Sequence, residues 1–282
     1  MLNIGQINRL QVCDKRDEGV YLDGGESGPI LLPPCEVAQT CESGQSLDVF
    51  VYHDAKARLV ATADKPLAMV GQCAYLKIVS LTNVGAFLDW GLPKDLLLPF
   101  GEQRFDLQQG QRVLVRVFLD EQTQRVVATT RVDDFLEDES TDFSCGQAVE
   151  LLITGDTQLG TKAIVDNSHW GVLYNNEVFQ TLTRGQRIDG FIKKIRNDKK
   201  IDLSLYAPGY EKIAGVCEQI ITVLKAHEGF IMITDKSAPE AIYSVFKVSK
   251  KVYKKAVGAL YKQRRIVIEQ QGIRLVEVDP PQ

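Results

Sequence analysis

Apolar and polar residues alternate in short runs along most of the chain, which is typical of β-strands with one buried face. Such runs follow a Gly-Gln dipeptide that occurs six times. It begins at Gly5, Gly44, Gly71, Gly110, Gly146 and Gly185. These positions form three pairs with one spacing of 39 residues, and the second run of each pair crosses a polar turn into a further apolar run. The pattern predicts three similar units, each closed by a hairpin.

Each unit also has a glycine inside an apolar run of its first half, at Gly19, Gly85 and Gly160. A glycine within a strand commonly marks the sharp bend of a small closed barrel. Units of roughly 60 to 70 residues with about five short strands fit the five-stranded OB-fold barrel. We therefore expect a mainly β chain, with tandem barrels over residues 1–66, 67–140 and 145–207.

The second unit resembles the S1 RNA-binding domain, a subtype of this barrel. The similarity lies in Asn-Val-Gly-Ala-Phe-Leu at 83–88, Leu-Leu-Pro at 97–99, Gly-Gln at 110–111 and Arg-Val-Val-Ala-Thr at 125–129. The third unit matches at its end, with Lys-Ile-Asp-Leu-Ser-Leu at 200–205. The resemblance implies a surface on which bases of a single strand stack, built from two aromatic residues, a histidine and a polar pair.

Only parts of that surface are present. Phe87 matches the second aromatic of the second unit, but Val84 and Pro99 occupy the first aromatic and histidine positions. In the first unit Tyr21 matches the second aromatic, and Glu18, which would repel phosphate, stands at the first. Both rings could instead pack inside or between the barrels, as most aromatic side chains do.

The third unit has charge in place of aromatic residues. Lys162 lies near its glycine motif and Tyr174 falls at the histidine position, although Tyr174 and Trp170 could equally be packing residues. The hairpin that closes this unit contributes five further candidate contacts for a phosphate backbone. They are Lys193, Lys194, Arg196, Lys199 and Lys200.

After residue 206 the period of the apolar residues changes to that of helices. A helix is predicted over 211–227 and ends at Gly229. A short strand at 230–234 follows, and Ser237 is the predicted N-cap of a second helix that runs to Phe246. Ser249 caps a third helix through Lys262, with Val252, Ala256, Ala259 and Leu260 facing inward. Two apolar runs around Gln271-Gly272 then form a hairpin. This order predicts an α+β winged helix-turn-helix module over residues 210–279.

The third helix and its flanks carry eight basic residues and no acidic residue between 247 and 265. Four lysines at i, i+1, i+4 and i+5 share one broad face of the helix, with Tyr253 beside the apolar stripe. The alternative is an ordinary solvated lysine face. The candidate contacts of this module are Lys250, Lys251, Tyr253, Lys254, Lys255, Lys262, Arg264 and Arg265.

The net charge of −4 conceals a polarity along the chain. Residues 1–145 hold 13 basic and 22 acidic side chains, residues 146–210 hold 8 and 7, and residues 211–282 hold 12 and 8. Nucleic acids favour positive surfaces. We therefore expect the main contact surface in the last two modules, and a scaffold or a protein-binding surface in the acidic first half.

Other functional classes find little support in the sequence. The longest apolar runs fall far short of the roughly 20 residues of a membrane span, and the N-terminus lacks the pattern of a secretory signal, so we expect a cytoplasmic protein without a membrane partner. Six cysteines include no Cys-x-x-Cys pair, which predicts reduced thiols. The three histidines have no metal-ligand spacing, and no phosphate loop, nucleophile elbow or dinucleotide fingerprint occurs. We expect no enzyme activity, cofactor or metal.

Three barrels and a winged helix, with the segments 192–205 and 249–262, resemble the bacterial conserved virulence factor B family. The resemblance implies an RNA-binding protein of the cytoplasm, linked to regulated virulence gene expression. We expect single-stranded RNA on one basic surface of the third barrel and the winged helix, with Phe87 stacking from the second barrel. Two alternatives stay open: a DNA-binding transcription regulator whose barrels recruit partners, and a scaffold for ribosomal or RNA polymerase subunits.

Overall fold

The computed structural model describes residues 2–140, 142–175, 177–178, 181–207 and 211–276. The chain divides into two compact units, residues 1–137 and 138–282. No helix within the described parts of the chain has the length and apolar character needed to cross a bilayer.

The first unit contains two barrels with the same order of strands. The first is closed, in the order β1-β2-β3-β5-β4, and the second is a five-stranded sheet in the equivalent order β10-β9-β6-β7-β8. The strands are β1 (Ile7–Arg16), β2 (Gly19–Asp23), β3 (Pro29–Leu32), β4 (Ser46–His53), β5 (Leu59–Thr62), β6 (Cys73–Thr82), β7 (Gly85–Asp89), β8 (Leu96–Pro99), β9 (Arg112–Leu119) and β10 (Val126–Thr129). A short helix, α1 (Glu36–Thr40), joins β3 to β4.

The second unit begins with a third closed barrel, in the order β11-β12-β13-β15-β14. Its strands are β11 (Ala148–Asp156), β12 (Gly160–Val165), β13 (His169–Tyr174), β14 (Arg187–Ile195) and β15 (Ile201–Ser204). In this barrel β13 pairs with β15 in parallel, and the other neighbouring strands pair antiparallel. The prediction of three five-stranded barrels, each ending in a hairpin, is therefore confirmed.

The Gly-Gln dipeptides recur because five of the six make the same turn before a strand, whereas the side chain of Gln6 donates to the Val70 carbonyl. Gly71 adopts φ +89°, and its amide donates to the Val117 carbonyl at 2.8 Å. The Val117 amide donates in return to the Gln72 carbonyl at 2.9 Å. The Gln72 side chain closes the turn, since its Oε1 accepts the Met69 amide at 2.9 Å. Glycine is needed for the left-handed backbone, and glutamine for the hydrogen bond that closes the turn.

The second dipeptide of each pair makes the same two backbone hydrogen bonds with the neighbouring strand. The Gly110 amide donates to the Ile78 carbonyl, and the Ile78 amide donates to the Gln111 carbonyl. The first and third barrels contain the same reciprocal bonds at their own dipeptides. The 39-residue spacing is thus the chain length between two equivalent turns that brace one antiparallel pair of strands.

The glycine inside the apolar run of the second barrel has a steric reason. A Cβ atom on Gly85 would lie 2.3 Å from the Leu98 carbonyl oxygen of β8, which is far inside van der Waals contact. The absence of a side chain therefore lets β7 and β8 approach closely at the end of the pair.

The first two barrels share one hydrophobic core. Phe50 and Tyr52 of β4 belong to the same buried cluster as the interior of the second barrel. Trp90, only 2% exposed, meets both rings edge-on, with centroid distances of 5.7 Å to Phe50 and 6.2 Å to Tyr52. Its indole nitrogen donates to the Lys94 carbonyl at 2.6 Å. This tryptophan therefore joins two barrels and does more than anchor its own loop.

The last module has the predicted order of helix, strand, two helices and hairpin. Its elements are α2 (Glu211–Ala226), β16 (Phe230–Ile231), α3 (Pro239–Phe246), α4 (Lys250–Lys262), β17 (Ile266–Ile268) and β18 (Ile273–Leu275). The three strands form one sheet in the order β16-β18-β17. The winged-helix prediction is confirmed, although the strand predicted over 230–234 is shorter than expected.

The helix caps differ from the prediction. Ala238, and not Ser237, is the N-cap of α3, because the Ser237 hydroxyl instead accepts the Thr234 amide at 2.9 Å in the preceding turn. Ser249 does stand at the N-cap of α4, but its side chain makes no capping hydrogen bond. Lys247 supplies the left-handed residue, with φ +54°, that separates α3 from α4.

Candidate nucleic-acid interface

Helix α4 presents a row of uncompensated positive charges. Lys251, Lys255 and Lys262 are exposed, as is Arg264 just after the helix, and none of the four forms an ion pair with another described residue. These basic residues lie along the solvent side of α4 over three turns, because the opposite side of the helix is buried. A row of this kind can follow a phosphate backbone.

The other bases of this module are partly engaged by the protein itself. Lys250 is half-buried and its Nζ donates to the Lys236 carbonyl at 3.2 Å. Lys254 stays exposed, with its Nζ 3.8 Å from the carboxylate of Asp235. Arg265 donates to Glu218 of α2 at 2.9 Å and therefore links the turn after α4 to α2. Of the eight basic residues from 247 to 265, these three are engaged, Lys247 lies beside the ring of Tyr243, and the remaining four have fully available charges.

Tyr253 is not on the surface, which corrects its assignment as a nucleic-acid contact. The residue is 0% exposed, and its ring packs against Phe246 of α3 at a centroid distance of 4.9 Å. The hydroxyl donates to the Ile233 carbonyl at 3.1 Å, and burial raises the pKa of the phenol. Tyr253 lies in the apolar stripe itself, with Ala256, Val257 and Leu260, and cannot stack on a base.

Two tyrosines among the described residues of this module are exposed, Tyr243 and Tyr261, and the sequence analysis missed Tyr243, which lies beside Lys247. It lies on α3 and is 59% exposed, while Ile242 and Phe246 of the same helix face the core. The ammonium of Lys247 lies 5.7 Å from its ring centroid. A shallow groove of about 600 Å³ runs beside it, lined also by Ser249 and Lys250. The signal was available, since Ile242 and Phe246 at i and i+4 place Tyr243 outside the buried stripe.

In the third barrel, the candidate residues Tyr174 and Lys162 each contact another side chain of the same barrel. Tyr174 is half-buried and its hydroxyl donates to Asp202 at 3.1 Å; burial and this hydrogen bond raise the pKa of the phenol. The Lys162 ammonium lies 3.5 Å from the ring centroid of Trp170, which is 9% exposed. Trp170 is therefore a packing residue, and Lys162 is held at a defined place by a cation–π contact.

Acidic neighbours compensate part of the hairpin charge in the third barrel. Lys193 pairs with Glu177, Arg196 with Asp198 at 3.1 Å and Lys199 with Glu139 at 3.3 Å. Lys194 and Lys200 are exposed, and neither pairs with an acidic residue in the described chain. Because exposed ion pairs are worth only about 0 to 1 kcal/mol, a phosphate group can replace these carboxylates.

The two aromatic candidates of the first unit have different surroundings. Tyr21 is half-buried; the Arg16 guanidinium lies 4.6 Å from its ring centroid, and its hydroxyl donates to Glu18, which raises the pKa of the phenol. One face of this ring is therefore occupied. Phe87 is half-buried and lines a groove of about 490 Å³ between the first and second barrels, with Val84 of its own barrel and Tyr52 of the other.

Comparison with known domain families agrees with this architecture. Residues 4–64 and 70–131 match the S1 domain, and residues 218–275 match the CvfB-like winged helix domain. These are non-enzymatic nucleic-acid-binding domains, which indicates nucleic acid as the partner class.

Similar proteins align over almost the whole chain. Conserved virulence factor B of Staphylococcus haemolyticus is 24% identical over 283 residues, covering 97% of this chain and 95% of the relative. The uncharacterized protein YitL of Bacillus subtilis is 26% identical over 275 residues, covering 94% and 91%. Among solved structures, a multidomain protein with nucleic acid binding domains from Streptococcus pneumoniae aligns with a TM-score of 0.41 and 21% identity, over 97% and 98% of the two chains. The chain therefore carries S1 domains and a CvfB-like winged helix domain, and bacterial proteins named conserved virulence factor B are its homologues over most of its length.

Proposed function

We propose that this protein binds single-stranded RNA in the cytoplasm and influences gene expression after transcription, without catalysing a reaction. The main contact surface lies in the second unit, on α4 and on the hairpin of the third barrel. The observation that carries the proposal is the row formed by Lys251, Lys255, Lys262 and Arg264, which are exposed and have no ion pair in the described chain. A strand of phosphates supplies the missing counter-charges.

Aromatic residues beside the lysine and arginine side chains favour the binding of single strands over duplexes. Tyr243 is exposed next to Lys247, and Tyr174 lies on the third barrel near Arg196 of the same unit. Stacking on such rings requires an unpaired base, whose faces are hidden inside a duplex. Tyr243 is therefore the stacking residue that we propose for this module, in place of the candidate contact Tyr253.

The chemistry of α4 argues against reading of duplex DNA. Base edges in the major groove are read by side chains that form two hydrogen bonds at once, with asparagine or glutamine on adenine and arginine on guanine, which lysine also contacts. The exposed residues within α4 are lysines and Tyr261, without asparagine, glutamine or arginine. Lysines bind phosphate without regard to sequence. We infer that α4 holds a backbone and does not specify a DNA site.

The remaining candidates are proposed as accessory contacts of the same strand. Phe87 and Tyr21 would offer partly open rings in the first unit. The charged accessory contacts are Lys162, Lys193, Lys194, Arg196, Lys199, Lys200, Lys250, Lys254 and Arg265.

The proposal is tested by reversing two of the unpaired charges. The double variant Lys251→Glu/Lys255→Glu is compared with Lys65→Glu/Lys77→Glu, which makes the same charge change at exposed lysines of the first unit. Binding of a labelled oligouridine of about 16 nucleotides is measured by fluorescence anisotropy at several salt concentrations. We expect the first variant to lose more than about tenfold in affinity at low salt. Its salt slope should flatten by about 1.4, or about 0.7 for each phosphate that a lysine no longer neutralises. Equal affinities of the two variants would refute the assignment.

Tyrosine variants and a competitor separate the functional classes. Tyr243→Ala should weaken RNA binding by about 1 to 3 kcal/mol, the usual value of a stacked base. Tyr243→Phe keeps an aromatic ring and should therefore keep the RNA affinity. Unlabelled duplex DNA of equal length should compete poorly. Stronger competition by the duplex would favour the DNA-binding alternative, and absence of any nucleic-acid binding would favour the protein scaffold.

A further inference from the structure

The groove between the first and second barrels has the properties of a small-molecule site. It has a volume of about 490 Å³, within the roughly 300 to 1,000 Å³ of ligand pockets. The turn after β4 forms one wall, through His53, and the segment from β7 to β8 forms the other, through Phe87 and Trp90. Because the two barrels share one core, the walls belong to a single packed body.

Positive charge accumulates at the rim of this groove. Lys94 reaches from the second barrel to the first, and its Nζ donates to the carbonyls of His53 at 2.6 Å and Asp54 at 3.0 Å. Burial and the neighbouring Arg125 lower the pKa of Lys94. The carboxylate of Asp54 is already held by Arg58 at 2.7 Å. Arg125 is exposed and has no ion pair in the described chain, so an anion here would relieve repulsion between two cations.

Two polar side chains in the groove have atoms without a hydrogen-bond partner among the described residues. Asp95 is half-buried and neither accepts a hydrogen bond nor forms an ion pair with any described residue; burial and Asp89 raise the pKa of its carboxyl. The Nδ1 atom of His53 is buried without a partner, and burial and the nearby cations lower the pKa of this histidine. A carboxylate left without a donor is stabilised by a ligand that brings N–H groups.

We propose that this groove binds one guanine nucleotide unit, with the base beside Phe87, its N–H edge on the Asp95 carboxylate and its phosphate against Arg125 and Lys94. A carboxylate offers two acceptor oxygens, and guanine presents two adjacent N–H donors on its Watson–Crick edge. Adenine, cytosine and uracil each place an acceptor beside their donor, so a carboxylate opposes them. The inference extends the accessory role proposed for Phe87 and rests on that part of the proposed function.

The chemistry has two sources, a free nucleotide or a guanosine within an RNA strand. Calorimetric titration of the full chain with guanosine 5′-monophosphate, adenosine 5′-monophosphate, uridine 5′-monophosphate and guanosine tests the free form. Two phosphorylated hexanucleotides, one of uridine alone and one with a single central guanosine, test the strand. Preference for guanosine monophosphate should be about ten- to hundredfold, because hydrogen bonds to charged groups are at stake.

Three variants with matched controls locate the binding. Asp95→Asn should abolish the preference for guanine, whereas Asp106→Asn, at an exposed acid of the same barrel, should keep it. Arg125→Gln should remove the advantage of the monophosphate over guanosine, whereas Arg112→Gln should not. Phe87→Ala should weaken binding about fivefold to a hundredfold, and Phe105→Ala, at a 50% exposed ring, should not.

The results of the guanine-binding experiments can be told apart from those of the oligouridine experiment. Binding of the free monophosphate that depends on Asp95 and Arg125 supports a nucleotide pocket, and dependence seen only with the guanosine hexamer assigns the site to the strand. Failure of both probes to prefer guanine, or a preference untouched by Asp95→Asn, overturns the inference. The variant Lys251→Glu/Lys255→Glu should keep the binding of free guanosine 5′-monophosphate, so its weaker binding of oligouridine concerns the second unit alone.

Discussion

Replacing Trp90 by alanine should destabilise the first and second barrels together. The ring is 2% exposed, contacts Phe50 and Tyr52 of the first barrel edge-on and donates its N–H to the Lys94 carbonyl of the second. Removal of a buried tryptophan costs about 3 to 5 kcal/mol through reduced transfer energy and the cavity left behind. If the two barrels unfold as one cooperative unit, the free energy of unfolding falls by this amount for both.

Amide hydrogen exchange on the intact chain measures the effect strand by strand. A destabilisation of about 3 to 5 kcal/mol corresponds to exchange faster by about a hundredfold to several thousandfold for amides that exchange through global opening. We expect this acceleration in β4 and β5 as well as in β6 to β10. Normal protection of β4 and β5 would refute the reasoning, because it would mean that the shared core is not cooperative.

The other tryptophan supplies the control for this experiment. Trp170 is 9% exposed and its ring contacts Lys162 of its own barrel. Trp170→Ala should therefore accelerate exchange in β11 to β15. A variant that accelerated β4 and β5 to the same degree would show that general instability, and not the Trp90 contacts, explains the result.

Two further predictions concern the turns and the pH dependence. Gly110→Ala should lower the free energy of unfolding by about 1 to 2 kcal/mol, because φ is +84° there, although the added Cβ meets no atom within 4 Å. Gly101 also has open space around an added Cβ but has no positive φ. Thermal melting should therefore show no comparable destabilisation for Gly101→Ala. Burial lowers the pKa of His53, so the unfolded chain binds this proton more readily and stability should fall as the pH is lowered through 6.5. His53→Gln should flatten this slope between about pH 7 and 5.5, and an unchanged slope would contradict the assignment.

Much of the fold follows from local chemistry that the sequence states directly. The Gly-Gln turn requires only a left-handed residue and a side chain that reaches three residues back, and both are present in the turn that ends at Gly71 and Gln72. The strands alternate because one face is buried. These features depend on neighbours within a few residues, so three barrels and a winged helix could be predicted without a tertiary structure.

The inner face of α4 shows where local reasoning ends. The sequence pattern predicts that Val252 and Ala259 face inward, whereas Tyr253 and Val257 are the more deeply buried positions. Adjacent helical positions differ by about 100°, and small or apolar residues flank the true stripe on both sides. The spacing i, i+3, i+4 and i+7 of residues 253, 256, 257 and 260 would have found it. The contact with Phe246, from another helix, decides the rotation.

The candidate sites depend still more on distant partners. The sequence by itself determined the barrels, the winged helix and the basic character of residues 247–265. The tertiary structure alone decided that Lys199 is paired with Glu139, that Tyr253 packs against Phe246, and that Trp90 closes a groove against Tyr52. Periodicity reports which side of an element is apolar, but exposure and charge compensation depend on atoms that only the folded chain brings within a few ångströms.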